Sequence, residues 1–263
     1  MAKTSPHIPA SSWHRNWAIV RELAVADFRL KYHDSVLGYF WSMLNPLALF
    51  LVYHFVFSYL FVVEVPKFTL YLLSGIVFWN FFADATLSGM NSLEAKASLT
   101  KKIYFPRILI VLASTATALF SFLINTMILI GVVILFDHVA VSQLLIIVPI
   151  LLLVLLTLAV TLLLAVSFIY FRDTLQIWNV CLSVGFWLTP VVYNALLAPE
   201  PLRNAALLNP IGRILVLLRA YLVFGDFPPS SFFWTTLVFC VTLLGFGIWI
   251  FSKHEHSIPE YLS

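Results

Sequence analysis

Ile108-Leu-Ile-Val-Leu-Ala-Ser-Thr-Ala-Thr-Ala-Leu-Phe-Ser-Phe-Leu-Ile-Asn-Thr-Met-Ile-Leu-Ile-Gly-Val-Val-Ile-Leu-Phe136 runs for 29 residues without an aspartate, glutamate, lysine or arginine. As a helix it is about 43 Å long at 1.5 Å per residue, more than the roughly 30 Å of a bilayer's hydrocarbon layer. Its apolar and polar residues do not alternate, which excludes a barrel strand. Residues 35–63, 68–83, 138–171, 174–199 and 227–252 are likewise free of these four charged types. The second of these continues past Asp84 to about Asn91. The sequence therefore predicts an all-α integral membrane protein with one domain, 1–263. Its six spans are expected at about 36–62, 68–91, 108–135, 144–170, 175–192 and 231–251.

Composition agrees. Hydrophobic residues make up 62% of the 263 and charged residues only 10%, against about 25% charged in a soluble domain. Fifteen basic and twelve acidic residues cannot coat a water-soluble chain of this size. A soluble enzyme, a disordered chain and a nucleic-acid-binding domain are excluded. Cys181 and Cys240 both lie in apolar runs and read as small hydrophobes, not as a disulfide or a metal site.

Basic residues set the orientation. With the N-terminus cytoplasmic, the inside segments hold Lys3, Arg15, Arg21, Arg29, Lys31, Lys96, Lys101, Lys102, Arg107, Arg172 and Lys253, and the outside segments Lys67, Arg203, Arg213 and Arg219. This satisfies the positive-inside rule, and six spans place both termini in the cytoplasm. The residues before the first span are too charged, and lack the small-residue cleavage site, for a secretory signal.

Three segments do not span. Residues 13–33 carry one apolar stripe of Trp17, Val20, Ala24 and Phe28 and a second of Ile19, Leu23 and Leu30, with Arg15, Glu22 and Arg29 sharing a face. This is the pattern of an amphipathic helix lying in the membrane interface, and Asp27 interrupts it. A solvated juxtamembrane helix is the other reading. Residues 93–107 form a cytoplasmic loop with a short helix from Glu94 to Lys102, and Pro106 opens the next span. The loop either docks a soluble partner or sets topology through its lysines. Residues 193–229 are apolar for a loop but are broken by Pro199, Pro201, Pro210, Pro228 and Pro229. Short apolar pieces there suggest re-entrant helices, and backbone at that depth must pack on protein or line a wet cavity. Arg213 and Arg219 within it therefore face protein or headgroups.

Catalytic signatures are missing. The chain has no G-x-x-x-x-G-K-[ST], no H-E-x-x-H and no C-x-x-C. Asp84 is the one carboxylate well inside a span, and His54 the clearest histidine. They fall in adjacent spans, which keeps an intramembrane enzyme or a proton relay open beside a structural pairing. The scarcity of buried charge argues against ion-coupled transport, so energy for any transport would come from another polypeptide. Tyr39, Phe40 and Trp41, then Trp79, Phe81 and Phe82, then Trp178, Phe186 and Trp187 cluster in three spans. Aromatic faces can line a path for a sliding glycan, whose C–H faces stack on rings; they also gather at membrane interfaces without any such role.

Arg21-Glu-Leu-Ala-Val-Ala-Asp-Phe-Arg-Leu-Lys-Tyr32 and Ser35-Val-Leu-Gly-Tyr-Phe-Trp-Ser-Met-Leu-Asn-Pro46 resemble the N-terminus of permease subunits of type-2 ATP-binding-cassette exporters. The closest branch is the one for O-antigen, teichoic acid and related polysaccharides. Lys101-Lys-Ile-Tyr-Phe-Pro-Arg107, Phe171-Arg-Asp173, Leu208-Asn-Pro-Ile211 with Arg219 downstream, and the tail Glu260-Tyr-Leu262 are similar to the same family, so the likeness covers nearly the whole chain.

The resemblance implies a homodimer of six-span subunits in the bacterial inner membrane, joined to two copies of a cytoplasmic nucleotide-binding ATPase. That partner holds ATP and Mg, and this chain carries no cofactor. The cargo implied is a lipid-linked, O-antigen-like glycan. By position, Tyr39, Trp41, Trp79, Trp178 and Trp187 are candidates for the substrate path. Glu22, Glu94, Ala97, Ser98, Lys101 and Lys102 are candidates for coupling to the ATPase. Asn45-Pro46 favours a kink in the first span, structural or transmitting. The alternatives are a same-superfamily exporter of teichoic acid, capsule, a small lipid or a drug, then an intramembrane enzyme, then a non-transporting scaffold.

Overall fold

The computed structural model describes residues 13–32, 40–59, 67–102, 105–136, 141–195, 197–255 and 257–258. These residues form helices and connecting turns: α1 Trp13–Tyr32, α2 Phe40–Tyr59, α3 Phe68–Ala95, α4 Ala97–Lys102, α5 Ile108–Phe136, α6 Ile147–Tyr170, α7 Thr174–Leu188, α8 Glu200–Leu208, α9 Pro210–Arg219 and α10 Ser230–His254. A 3₁₀ turn, Val141–Ile146, leads into α6, and a π-helical turn, Ala220–Phe224, prolongs α9. There is no strand among the described residues.

Within the described residues, four helices are long and apolar enough to cross a membrane, the ones built on α3, α5, α6 and α10. The pair α8 and α9 passes the same test only when joined, and it is bent by 97°. α2 has 20 residues and no charged side chain. α7, on the run expected to span 175–192, has 15 residues, about 22 Å of helix. The chain leaves it at Thr189, whose backbone is extended ahead of Pro190, as the residue before a proline prefers.

Burial identifies α3 as the centre. It packs on α5 and α6, and more weakly on α2, α7 and α9. Leu72, Ile76, Phe78 and Ala85 on it are wholly or nearly wholly enclosed. The core continues through Phe122, Leu129, Leu153, Leu156, Leu215 and Leu218. Such interdigitation matters in a bilayer, because lipid tails are as apolar as leucine and helices associate through close packing. α10 lies against α6 but leaves Trp234, Val238, Phe246 and Trp249 exposed. α7 buries only Leu182 and exposes Ile177, Val180, Val184 and Trp187.

α1 lies mainly along α5. Val20 is buried and Leu23, Ala24 and Phe28 are half-buried, with Phe28 edge-on to Phe120 at 4.8 Å. The two apolar stripes do not share one fate: Trp17 and Leu30 are exposed.

Candidate functional site

The two ends of α3 carry the polar structure of the molecule, separated by about 35 Å of helix. At the α4 end, α3 stops at Ala95, and Lys96 turns the chain into α4. Lys96 Nζ donates to Asp27 Oδ2 at 2.5 Å, with both side chains largely enclosed. This bond ties α1 to the end of α3, and it explains a carboxylate between the apolar stripes of α1. Glu94 forms an ion pair with Arg172, in the turn between α6 and α7. Glu255, just past α10, accepts from the Arg107 backbone N–H at 2.6 Å at the start of α5, and the Arg107 guanidinium donates to the Glu255 carbonyl. Three long-range polar links thus join α1, α3, the α6–α7 turn, α5 and the C-terminal end around the short helix α4.

The coupling candidates fall here in part. Glu94 and Ser98 are exposed and Ala97 is half-buried. Glu22 is exposed on α1 and pairs with its neighbour Arg21 at 2.9 Å. Lys101 and Lys102 lie in the backbone of α4, but their side chains are outside the described residues. Asp27, Lys96, Arg172 and Glu255 were not among the candidates. Asp27 carried a signal, an acid breaking a hydrophobic stripe; Glu255 carried none.

Beside this end, α1, α3 and α5 enclose a polar cavity of about 300 Å³ lined by Asp27, Asp84, Ser88, Asn91, Lys96 and Thr117, among others. The Ser88, Asn91 and Thr117 side chains donate to backbone carbonyls of their own helices. Asp84 belongs to this cavity. The side chain of His54 lies outside the described residues, and no group of three or more metal-ligating side chains occurs among those described.

The aromatic candidates separate into two sets. Trp79 is 7% exposed and packs at 5.9 Å from both Phe82 and Phe186. Trp178 lies 6.1 Å from Phe82, and its indole N–H donates to Thr86 Oγ1 at 3.0 Å. Trp79 and Trp178 share the wall of a mostly apolar cavity of about 230 Å³ with Cys181 and Phe239. Trp41 on α2 and Trp187 on α7 are 52% and 59% exposed, and Tyr39 lies outside the described residues. The structure brings Trp79 and Trp178 together and holds the other two on the outer surface of the chain.

At the opposite end, α8 and α9 form the bent pair. Asn209 is extended, closes α8 and opens α9, its side chain accepting from the Ile211 N–H at 3.0 Å with Pro210 in the first helical position. This is an N-cap followed by the residue whose missing N–H costs nothing there. The Asn209 amide also donates to Thr189 Oγ1 at 2.8 Å, fastening the bend to the end of α7. Arg213 reaches α10, donating to Thr236 Oγ1 at 2.9 Å, with its guanidinium 4.2 Å from the centre of the Phe232 ring. Arg219 is almost wholly buried, with its guanidinium carbon over the Tyr71 ring, 3.4 Å from the ring centre. It donates to Tyr71 Oη at 2.6 Å, to Val191 O at 2.7 Å and to Pro190 O. Tyr71 in turn donates to Tyr193 O at 2.7 Å. One side chain thereby clamps α9 to the start of α3 and to the chain leaving α7. Both arginines find their hydrogen-bond acceptors within the protein. Tyr71 was missed in the sequence because nothing local marks a tyrosine as a partner 148 residues away.

The profile of the family described as ABC-2 type transporter matches residues 20–223. The chain belongs to that family. It is therefore a multi-pass membrane component of a transporter, and the match extends from α1 through the bent pair. Among similar proteins, an O-antigen export system permease protein RfbA of Klebsiella pneumoniae is 27% identical over 240 residues, covering 90% of this chain and 92% of that protein. An O-antigen export system permease protein RfbA of Myxococcus xanthus is 24% identical over 251 residues, covering 90% and 93%. The polar links around α4 and the arginine clamp both lie within or beside the matched region.

Proposed function

We propose that this chain is the permease subunit of an ATP-driven exporter that moves a lipid-linked polysaccharide of the O-antigen type across the bacterial inner membrane. The near full-length likeness to O-antigen export permeases carries this reading. It has six spans, with α2 and α7 counted among them, and both termini are cytoplasmic. Two copies assemble around the path, and each binds one ATPase subunit, which holds and hydrolyses ATP with Mg. This chain contributes the path and the transmission.

Transmission begins at α4, which docks on the ATPase. Displacement of α4 passes to α1 through Lys96–Asp27 and to the α6–α7 turn through Glu94–Arg172, because both pairs attach directly to the residues around it. α3 carries the displacement to its other end, where Tyr71 holds Arg219 and the bent pair. The exposed faces of α2 and α7 meet the second copy, so Trp41 and Trp187 border the path while Trp79 and Trp178 support its wall from behind.

The test is translocation in proteoliposomes holding this chain and its ATPase, with a polyprenyl diphosphate glycan or a hydrophobic drug as cargo. ATP-dependent movement of the glycan alone supports the reading. Movement of the drug alone assigns the chain to a different branch of the family.

A further inference from the structure

We propose that the cavity between α9 and the start of α10 holds the headgroup of a phospholipid bearing both a phosphate and a primary ammonium group. The cavity measures about 310 Å³ and is lined by Arg219, Asp226, Tyr71, Val216, Phe227 and Phe232, among others. Arg219 brings a full positive charge into its wall at 2% exposure. Every hydrogen bond it makes goes to a neutral oxygen, of a carbonyl or of the Tyr71 phenol. Its Nε–H has no acceptor among the described residues. Burying a cation without an anion nearby is expensive. Asp226 lines the same cavity, yet it forms no ion pair with Arg219 among the described residues. The turn fixes it there: Gly225 adopts φ +73°, and the Asp226 N–H donates to Ala220 O at 2.9 Å.

One cavity thus carries a cation and an anion that do not meet, in a lining otherwise dominated by aliphatic and aromatic side chains. The complement is a zwitterion attached to apolar chains. Its phosphate neutralises Arg219, and its ammonium donates to Asp226. A quaternary ammonium has no N–H to give a carboxylate, and an anionic glycerol headgroup offers Asp226 only neutral hydroxyls, with no cation to balance its charge. Phosphatidylethanolamine therefore fits better than phosphatidylcholine or phosphatidylglycerol. The cavity lies beside Pro228 and Pro229, where α10 begins, and helix ends of this kind are where headgroups are found. A diphosphate-linked cargo offers the phosphate without the ammonium. The inference needs only the membrane setting and does not rest on the cargo.

The full chain is reconstituted in nanodiscs of each of the three lipids with a benzophenone amino acid at position 227, and cross-linked lipid is measured by mass spectrometry. Phosphatidylethanolamine adducts should exceed the other two by at least about fivefold. Asp226→Asn, a change at an exposed residue, should bring them down to the phosphatidylcholine level, and Val216→Trp should abolish them by filling the space. Equal yields from the three lipids, or yields indifferent to Asp226→Asn, would overturn the proposal. So would a dominant glycolipid adduct when polyprenyl diphosphate glycan is added, an outcome that leaves the export function standing.

Discussion

Lys96 and Asp27 meet at 2.5 Å across 69 residues of sequence, joining the turn before α4 to the amphipathic helix α1. Their side chains are 16% and 21% exposed, so solvent screens the pair less than it would a surface bridge. Removing either partner leaves a charge half-enclosed beside the polar cavity. Asp27→Ala and Lys96→Ala should each lower ATP-driven transport by about tenfold, the change expected from about 1.4 kcal/mol of lost coupling. The exchanged pair Asp27→Lys with Lys96→Asp should recover most of it. Equal defects in the single and exchanged variants would show that the pair transmits nothing.

Glu94 and Arg172 are more exposed, at 44% and 57%. Breaking this pair should leave thermal stability nearly unchanged, since exposed pairs contribute about 0–1 kcal/mol. On the proposed function its effect belongs to docking. A cysteine replacing Ala97 should cross-link to a cysteine on the ATPase in the assembled complex, and Glu94→Ala should reduce the yield. No adduct from any position between Glu94 and Lys102 would remove docking from this loop.

Arg219 and Tyr71 anchor the other end of α3. Arg219→Met would leave the Pro190 and Val191 carbonyls without donors, and each buried orphan costs about 1–3 kcal/mol. A clear fall in melting temperature in detergent is expected, readable by thermal shift. Arg219→Lys should restore only part, because an ammonium cannot span the same fork of acceptors. Gly75 belongs to the same contact: a Cβ there would stand 2.6 Å from Val191 O and 2.7 Å from Arg219 Nη2. Gly75→Ala should therefore destabilise the protein although alanine is the better helix former.

Asn209→Ala should cost about 1 kcal/mol through the lost N-cap, and somewhat more through the lost bond to Thr189. Asn209→Asp keeps the cap but not the amide donor and should lie between. An Asn209→Asp melting temperature equal to the parent's would mean that the Thr189 link contributes nothing, and one equal to that of Asn209→Ala that the cap contributes nothing.

Long apolar runs made the helical class legible, because in a bilayer a helix satisfies its own backbone and little else can. A break at Pro210 was legible too, since a proline cannot continue the apolar piece before it, but the Asn209 cap that opens the second helix was not. The shortness of α7 was not: its apolar run continues to Pro199, and only the extended backbone at Thr189 ends the helix earlier. Sequence marks aromatics within spans but does not say which of them face one another. Trp79 and Trp178 both pack on Phe82 and line one cavity because α3 and α7 pack together, while Trp187, nine residues after Trp178, remains exposed. Asp27 was visible as a flaw in a pattern, and its cause, a lysine on another helix, is purely tertiary.

On the proposed function this chain transmits force from a separate ATPase and generates none itself. The most direct measurement is glycan translocation in sealed proteoliposomes containing this chain alone, with an ATPase that binds but cannot hydrolyse ATP, or with the active ATPase. Sustained transport only in the last case is the expected result. Continued transport by the chain alone, without ATP, would contradict the account.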